Sequence, residues 1–325
     1  MMNSKYFINV LEAKAWTDPL DNVDDSDNPP TAFIEQNRYS QHIAYLRDFF
    51  SVYSNSFTGE HLDVLEIMLE ETYRRKGISK KTDFSKLTSE SYPILSDLYR
   101  VIEDKIESYD EEVTLSAQTN HPIMYSKSLL QSVGLGVRSI CVGANSHYFN
   151  GHTNIPNSNF IDFCVKDALN TNDSLKNAMF LNVFSFMSHK FLTEGDCNLF
   201  VDELHEFVKN KLAISYINSF MKRGRKKNSG VCVGSQNVED LLRPEVITYT
   251  KPLMTIPTHS FLFHPGGNCN VEEFQRTINV QPWEYEIIET PNRGHCLYKC
   301  GSERYHLAVK APAYKAALFG SAGGK

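Results

Sequence analysis

The chain has 325 residues, of which 41% are hydrophobic and 22% charged, and it carries a formal net charge of −6. This length supports one large domain or two smaller ones with a sizeable core, and the acidic balance argues against a general nucleic-acid or anionic-membrane binder while leaving local basic patches open. No apolar run reaches the roughly 18 residues that a membrane span needs, and the start, Met1 to Val10, has one lysine and no long apolar segment, which is not a signal-peptide pattern.

Tyr6 to Leu11 reads as a short strand. It is followed by five acids between Asp18 and Asp27 and then by Pro29-Pro30, a polar connection that lacks the glycine and terminal glutamate of a calcium loop. From about Glu35 the apolar period becomes helical. Ile43, Leu46, Phe50 and Tyr53 form one stripe; Leu62, Leu65, Leu69 and Tyr73 a second; Leu95, Leu98, Ile102, Ile106 and Tyr109 a third. Glu70 with Arg74 and Glu71 with Arg75 are spaced to pair along the second helix. Three amphipathic helices without intervening strands predict a separate helical subdomain. Glu111 to Leu130 reads as a further helix broken near His121-Pro122, after which Gly134, Gly136 and Gly143 loosen the chain without forming a G-x-G-x-x-G fingerprint.

Beyond residue 150 strands and helices alternate. Phe160 to Val165 reads as a strand, Leu175 to Phe191 as an apolar helix, Cys197 to Val201 as a buried strand, and Leu212 to Lys222 as a helix. Val231 to Ser235 and Ser260 to His264 are further buried runs. This order implies a mainly parallel sheet with helices on both faces. Trp283 to Ile288, His295 to Lys299 and Tyr305 to Lys310 read as strands of an antiparallel edge, with Gly301-Ser302 as a turn. The seven cysteines are odd in number and scattered, as in a protein with reduced thiols. His295, Cys296, Cys300 and His306 lack the spacing of a zinc finger or ribbon.

The central strand ends in Asp202-Glu203. Ligands of open α/β sheets gather beyond the carboxyl ends of the strands, where one carboxylate suits a Mg²⁺ shell and its neighbour suits activation of a water. The other reading is that the two acids begin the helix at Leu204 and complement its dipole. Gln236 follows the next buried strand at the same end, where an amide can bond both a water and a phosphate oxygen; it also reads as a simple loop residue. Lys222 to Lys227, including Arg223 and Arg225, reads as a solvated basic turn, a nucleic-acid patch or an arginine finger.

The succession Asn198-Leu199-Phe200-Val201-Asp202-Glu203, Arg223-Gly224-Arg225-Lys226 and Gly234-Ser235-Gln236-Asn237 resembles the large VirB-type ATPases of conjugation and type IV secretion. The tail Arg293 to Tyr298 with Ala311 to Phe319 resembles their closing strands and last helix. The resemblance implies a partial RecA-like α/β core, with residues 1–30 as its start, 31–135 as an inserted all-helical subdomain and 136–325 as the remainder. It implies Asp202 as the metal ligand, Glu203 and Gln236 as catalytic residues, and Arg225 or Arg223 acting across a subunit interface. It further implies ATP and Mg²⁺ in the intact protein, a hexamer of like subunits, and transfer components at the inner membrane as partners of a cytoplasmic protein. The Walker A loop, G-x-x-x-x-G-K-S/T, is absent from the 325 residues; Gly320 to Lys325 imitates it incompletely. The expectation is therefore of a carboxyl-terminal portion, starting after that loop and inactive alone. The alternative is a non-catalytic interaction module derived from such an ATPase, and DNA binding through the Arg223 cluster is a third reading that the acidic charge weakens.

Overall fold

A computed structural model describes residues 6–14, 31–119, 123–165, 168, 170–208, 210–236, 238–266 and 269–319. The acidic segment 18–27, Pro29-Pro30, the His121-Pro122 break and the glycine-rich tail 320–325 lie outside them. The chain divides into two compact units, Met1–Gly195 and Asp196–Lys325.

The first unit is helical. Its long members are α1 (Thr31–Tyr53), α2 (Gly59–Arg75), α3 (Leu95–Glu107), α4 (Tyr109–Thr119), α5 (Lys127–Cys141) and α6 (Asp173–Thr193). The stripes read in the sequence are the buried faces: Ile43, Leu46 and Phe50 on α1, Leu65, Leu69 and Tyr73 on α2, and Leu95, Leu98 and Ile102 on α3. Three of the starts, those of α3, α5 and α6, carry a side-chain hydrogen bond. Asp97 accepts a hydrogen bond from the Ile94 amide (3.0 Å) just after Pro93, and Ser126 and Asn172 accept from the amides of Leu129 (3.2 Å) and Leu175 (2.9 Å). On α2, Glu71 rather than Glu70 pairs with Arg74, at 2.6 Å, as well as with Arg75, at 3.2 Å; Glu70 faces Lys80 instead.

Three expectations for this unit fail, each for a visible reason. Tyr6 to Leu11 is no strand: extended residues 6–9 lead into a turn at residues 10–12. Ile8, Val10 and Leu11 are buried, but side chains replace a strand partner for the backbone. Thr153 and Asn154 accept from the amides of Asn9 (2.9 Å) and Phe7 (2.6 Å), and Asn182 donates to the Ile8 carbonyl (2.8 Å). Phe160 to Val165 alternates as a strand would, with Phe163 packed on Phe186, yet among the described residues it pairs with no strand, and Phe160 is 82% exposed. Gly134 and Gly136 do not loosen the chain; both lie inside α5, where a Cβ would stand 3.1 Å from Ile102 and 2.2 Å from the Phe57 ring, so the missing side chains permit close packing.

The second unit is mixed. β1 (Asn198–Val201) pairs in parallel with β2 (Gly230–Val233), joined through α7 (Lys211–Arg223), whose Ala213, Ile214, Ile217 and Phe220 are buried. β3 (His259–Leu262), β4 (His295–Cys300) and β5 (Glu303–Ala308) form an antiparallel sheet. The β3 run was expected in the parallel sheet; it pairs antiparallel with β4, so the antiparallel edge is larger than the sequence implied. One face of this sheet packs Leu262 and Leu297 onto a core with Phe274 and Ile278 of α9 (Val271–Ile278) and Tyr285 and Ile288 of α10 (Pro282–Glu289). Between β2 and β3 lies α8 (Ile247–Thr255), and α11 (Ala313–Phe319) closes the described chain.

The Trp283 to Ile288 run, expected as a strand, is helix α10. Pro282 occupies the first turn, and Glu284 reaches back to accept from the Gln281 amide at 2.7 Å. These start signals outweigh the strand propensity of the apolar residues. In the parallel pair, Val201 is buried while Phe200 and its partner Cys232 face outward, Phe200 with 73% exposure. All seven cysteines are free thiols.

Candidate functional site

The parallel register pairs Val201 with Val233, so β1 and β2 end together. Two more backbone bonds extend the ladder past the strands: the Gly234 amide donates to the Val201 carbonyl and the Leu204 amide to the Gly234 carbonyl, both at 2.8 Å. Residues 202–203 and 234–236 are thus carried to one edge by the sheet itself. The close approach suits a glycine at 234, since a Cβ there would lie 3.4 Å from Asp202 Oδ1.

At that edge the side-chain amide of Gln236 donates to Glu203 Oε1. Glu203 Oε2 is shielded from solvent, makes no hydrogen bond and lies 3.3 Å from His205 Nδ1. Asp202 Oδ1 accepts from the Glu203 amide at 2.9 Å, and the Asp202 side chain is otherwise open to solvent. Glu203 itself has φ 49° and ψ 48°. A non-glycine residue in this left-handed region costs on the order of 1 kcal/mol, a strain typical of residues whose direction matters.

Glu203 precedes a short 3₁₀ turn at Leu204–Phe207 but makes no side-chain cap to it, and its carboxylate is directed at Gln236 and His205 instead. An oxygen-rich edge with one solvent-facing carboxylate and one orphaned carboxylate oxygen suits a hard, hydrated cation and a polarised water. Among the described residues no three His, Cys, Asp or Glu side chains converge as a protein-only metal cage. A Mg²⁺ held by Asp202 would have to take most of its ligands from water and phosphate, as this ion prefers.

The basic segment sits elsewhere. Arg223 ends α7, and Arg225 lies in the 3₁₀ turn Gly224–Lys227 that follows; the Arg225 side chain is outside the described residues. The Lys227 carbonyl accepts from the Asp196 amide at 3.0 Å, just before β1. The turn is therefore at the amino ends of the two strands, and Asp202, Glu203 and Gln236 are at the carboxyl ends, a strand length of about 13 Å away. His205 was missed in the sequence, where it reads as one more residue of a helical turn. Only the reversal at Glu203 brings its ring back to the carboxylate.

VirB4 of Thermoanaerobacter pseudethanolicus, a solved structure, superposes on 95% of this chain and 74% of its own with a TM-score of 0.73 at 27% identity. The type IV secretion system protein CagE of Helicobacter pylori is 30% identical over 99 residues. The chain is thus similar to VirB4-type proteins of type IV secretion along nearly its whole length. No family model matches it. The CagE match covers 30% of this VirB4-type chain and 10% of CagE, so the chain spans a small fraction of that relative's length. Among the described residues of the VirB4-type chain, no helix is long and apolar enough to cross a membrane.

Proposed function

We propose that this VirB4-type chain is the carboxyl-terminal part of a conjugation or type IV secretion ATPase, and that Asp202, Glu203 and Gln236 form the acidic wall of its nucleotide site. The observation that supports this is the Gln236 to Glu203 hydrogen bond at the shared end of two parallel strands. Bound Mg²⁺-ATP supplies an electrophilic γ-phosphoryl group with its charge partly neutralised. Asp202, facing solvent, holds the hydrated cation. Glu203 orients a water and takes its proton, helped by an Oε2 that no donor occupies. Gln236 keeps one amide N–H on Glu203 and offers its remaining donor and its carbonyl to the water and a phosphate oxygen.

Arg225 or Arg223, at the far end of the strands, acts on a neighbouring subunit's nucleotide rather than on this chain's own, which requires an oligomer such as the hexamer of the family. The transferred cargo is DNA or protein. The protein works in the cytoplasm and meets the membrane through other secretion components.

Phosphate must be gripped by backbone amides and a lysine that residues 1–325 do not encode in Walker A form. The chain alone is therefore inert toward ATP. The test measures phosphate release by the chain alone and by the chain joined to a segment carrying G-x-x-x-x-G-K-S/T, each with and without Glu203→Gln. Turnover is expected only in the joined protein and only with Glu203 intact. Turnover by the isolated chain that disappears with Glu203→Gln would overturn the claim of inertness, and turnover indifferent to Glu203 would overturn the site.

A further inference from the structure

His295 and His306 stand on the adjacent strands β4 and β5, one diagonal step apart, because His306 is the register partner of Leu297. Their rings meet edge to edge: His295 Nδ1 is 3.1 Å from His306 Nε2 and the ring centroids are 5.2 Å apart. His306 is exposed and His295 half-buried, so the pair is open to solvent. Cys296 and Cys300 are displaced from it by an odd number of residues along β4 and so project from the opposite face of the strand, and Cys296 is fully buried. The four-ligand cluster considered in the sequence thus resolves into two histidines without thiols.

Two imidazole nitrogens bound to one divalent transition ion at about 2.0–2.1 Å must be about 2.9 Å apart for a right-angled pair and about 3.3 Å apart for a tetrahedral one. The observed 3.1 Å falls within that span before any ion is present. In the absence of metal one ring donates its N–H to the lone pair of the other. Binding requires that the donor ring carry its proton on its other nitrogen and that the rings tilt so that both lone pairs converge on the ion, with no net change in protonation. The strands hold both backbones, and little ordering is left to be done on binding.

We propose that His295 and His306 form a two-histidine chelate for a borderline divalent transition ion such as Ni²⁺ or Zn²⁺, tying β4 to β5 near the open end of the hairpin, away from its Gly301-Ser302 turn. Water or an external ligand completes the coordination, since no third metal-binding side chain converges among the described residues. Imidazole nitrogen selects such ions over Mg²⁺, which demands oxygen. This site is separate from the proposed nucleotide wall and does not depend on it.

The test is calorimetric titration of the full chain with Ni²⁺, then Zn²⁺, then Mg²⁺, each alone. The expected result is one saturable Ni²⁺ or Zn²⁺ site per chain, weakened at least tenfold in His295→Gln and in His306→Gln, unchanged in His147→Gln, and undetectable with Mg²⁺. Both variants alter solvent-accessible side chains, and a thermal melt without metal confirms that they remain folded. Histidine ring ¹⁵N spectra provide a second readout, with Zn²⁺ shifting His295 and His306 first. No saturable site, binding by either variant as tight as that of the parent, or first shifts at other histidines would overturn the proposal.

Discussion

Gln236 reaches across 33 residues of sequence to donate a hydrogen bond to Glu203, and the two meet because β1 and β2 run parallel and stop at the same level. The contact is at the protein surface. Gln236→Ala should therefore change the stability of the chain by no more than about 0.5 kcal/mol, the usual range for exposed sites, as read from urea unfolding. A loss above 2 kcal/mol would mean that the contact holds the fold together rather than serving a site.

Acid should weaken the helical unit before it affects side-chain contacts elsewhere. His42 is buried between the Lys14 ammonium, the Arg38 guanidinium and the rings of Tyr45 and Tyr73; its Nε2 is 3.0 Å from the Tyr73 hydroxyl, which in turn donates to the Leu11 carbonyl. Burial first and Lys14 next, with a smaller push from Arg38, hold its pKa well below 6.5 against an opposing hydrogen bond to the Leu11 backbone. His189 is pushed down to about 3, by burial and then by Arg38, Lys14 and Lys190. In the unfolded chain both imidazoles take protons near pH 6.5. Below that pH the unfolded state binds more protons than the folded one, so stability falls as pH drops. The urea midpoint should be lower at pH 5 than at pH 7.5, and His42→Gln should shrink the difference.

Lys14 adds a second window with the same sign. Burial lowers its pKa to about 8 from an ordinary 10.5, against a smaller opposing pull from Glu12. Between those values the unfolded chain is protonated and the folded one is not, so stability rises with pH across the interval. Lys14→Met should flatten the midpoint-versus-pH curve between pH 8 and 10 relative to the parent chain.

Two glycines of the antiparallel sheet should respond differently to alanine. Gly294 has φ +80°, and a Cβ there would meet the Val309 carbonyl oxygen at 2.6 Å; Gly301 has φ +58° with nothing within 4 Å. Gly301→Ala should cost about 1–2 kcal/mol, from backbone conformation alone. Gly294→Ala adds a backbone clash and should cost roughly 2–4 kcal/mol. Equal costs in chemical unfolding would show that the space around Gly294 relaxes freely.

The helical stripes and α7 were legible because each buries one face and its period says so, and α6 because its apolar run is long enough only for a helix; β1 and β2 were legible as apolar strands, although Phe200 and Cys232 face outward rather than being buried. Tyr6 to Leu11 was not, because being apolar and buried does not reveal whether a strand or the side chains of Thr153, Asn154 and Asn182 will satisfy the backbone. Trp283 to Ile288 misled because its residue types favour strands while Pro282 and Glu284 start a helix. At the site, the meeting of Glu203 with Gln236 followed from strand order. The approach of His205 depends on a left-handed backbone at Glu203 that no propensity scale assigns to glutamate.

The central claim is that Glu203 and Gln236 act as one unit on a nucleotide. It is tested most directly by steady-state ATP turnover of the chain joined to a Walker A segment, measured for the parent, Glu203→Gln, Gln236→Ala and the double variant. The account predicts that each single change lowers turnover, by about 100-fold or more for Glu203→Gln as for loss of a general base, and that the double variant is no slower than Glu203→Gln alone, the non-additivity expected of a unit. Parent-level turnover in either single variant, or losses that simply multiply in the double variant, would contradict it.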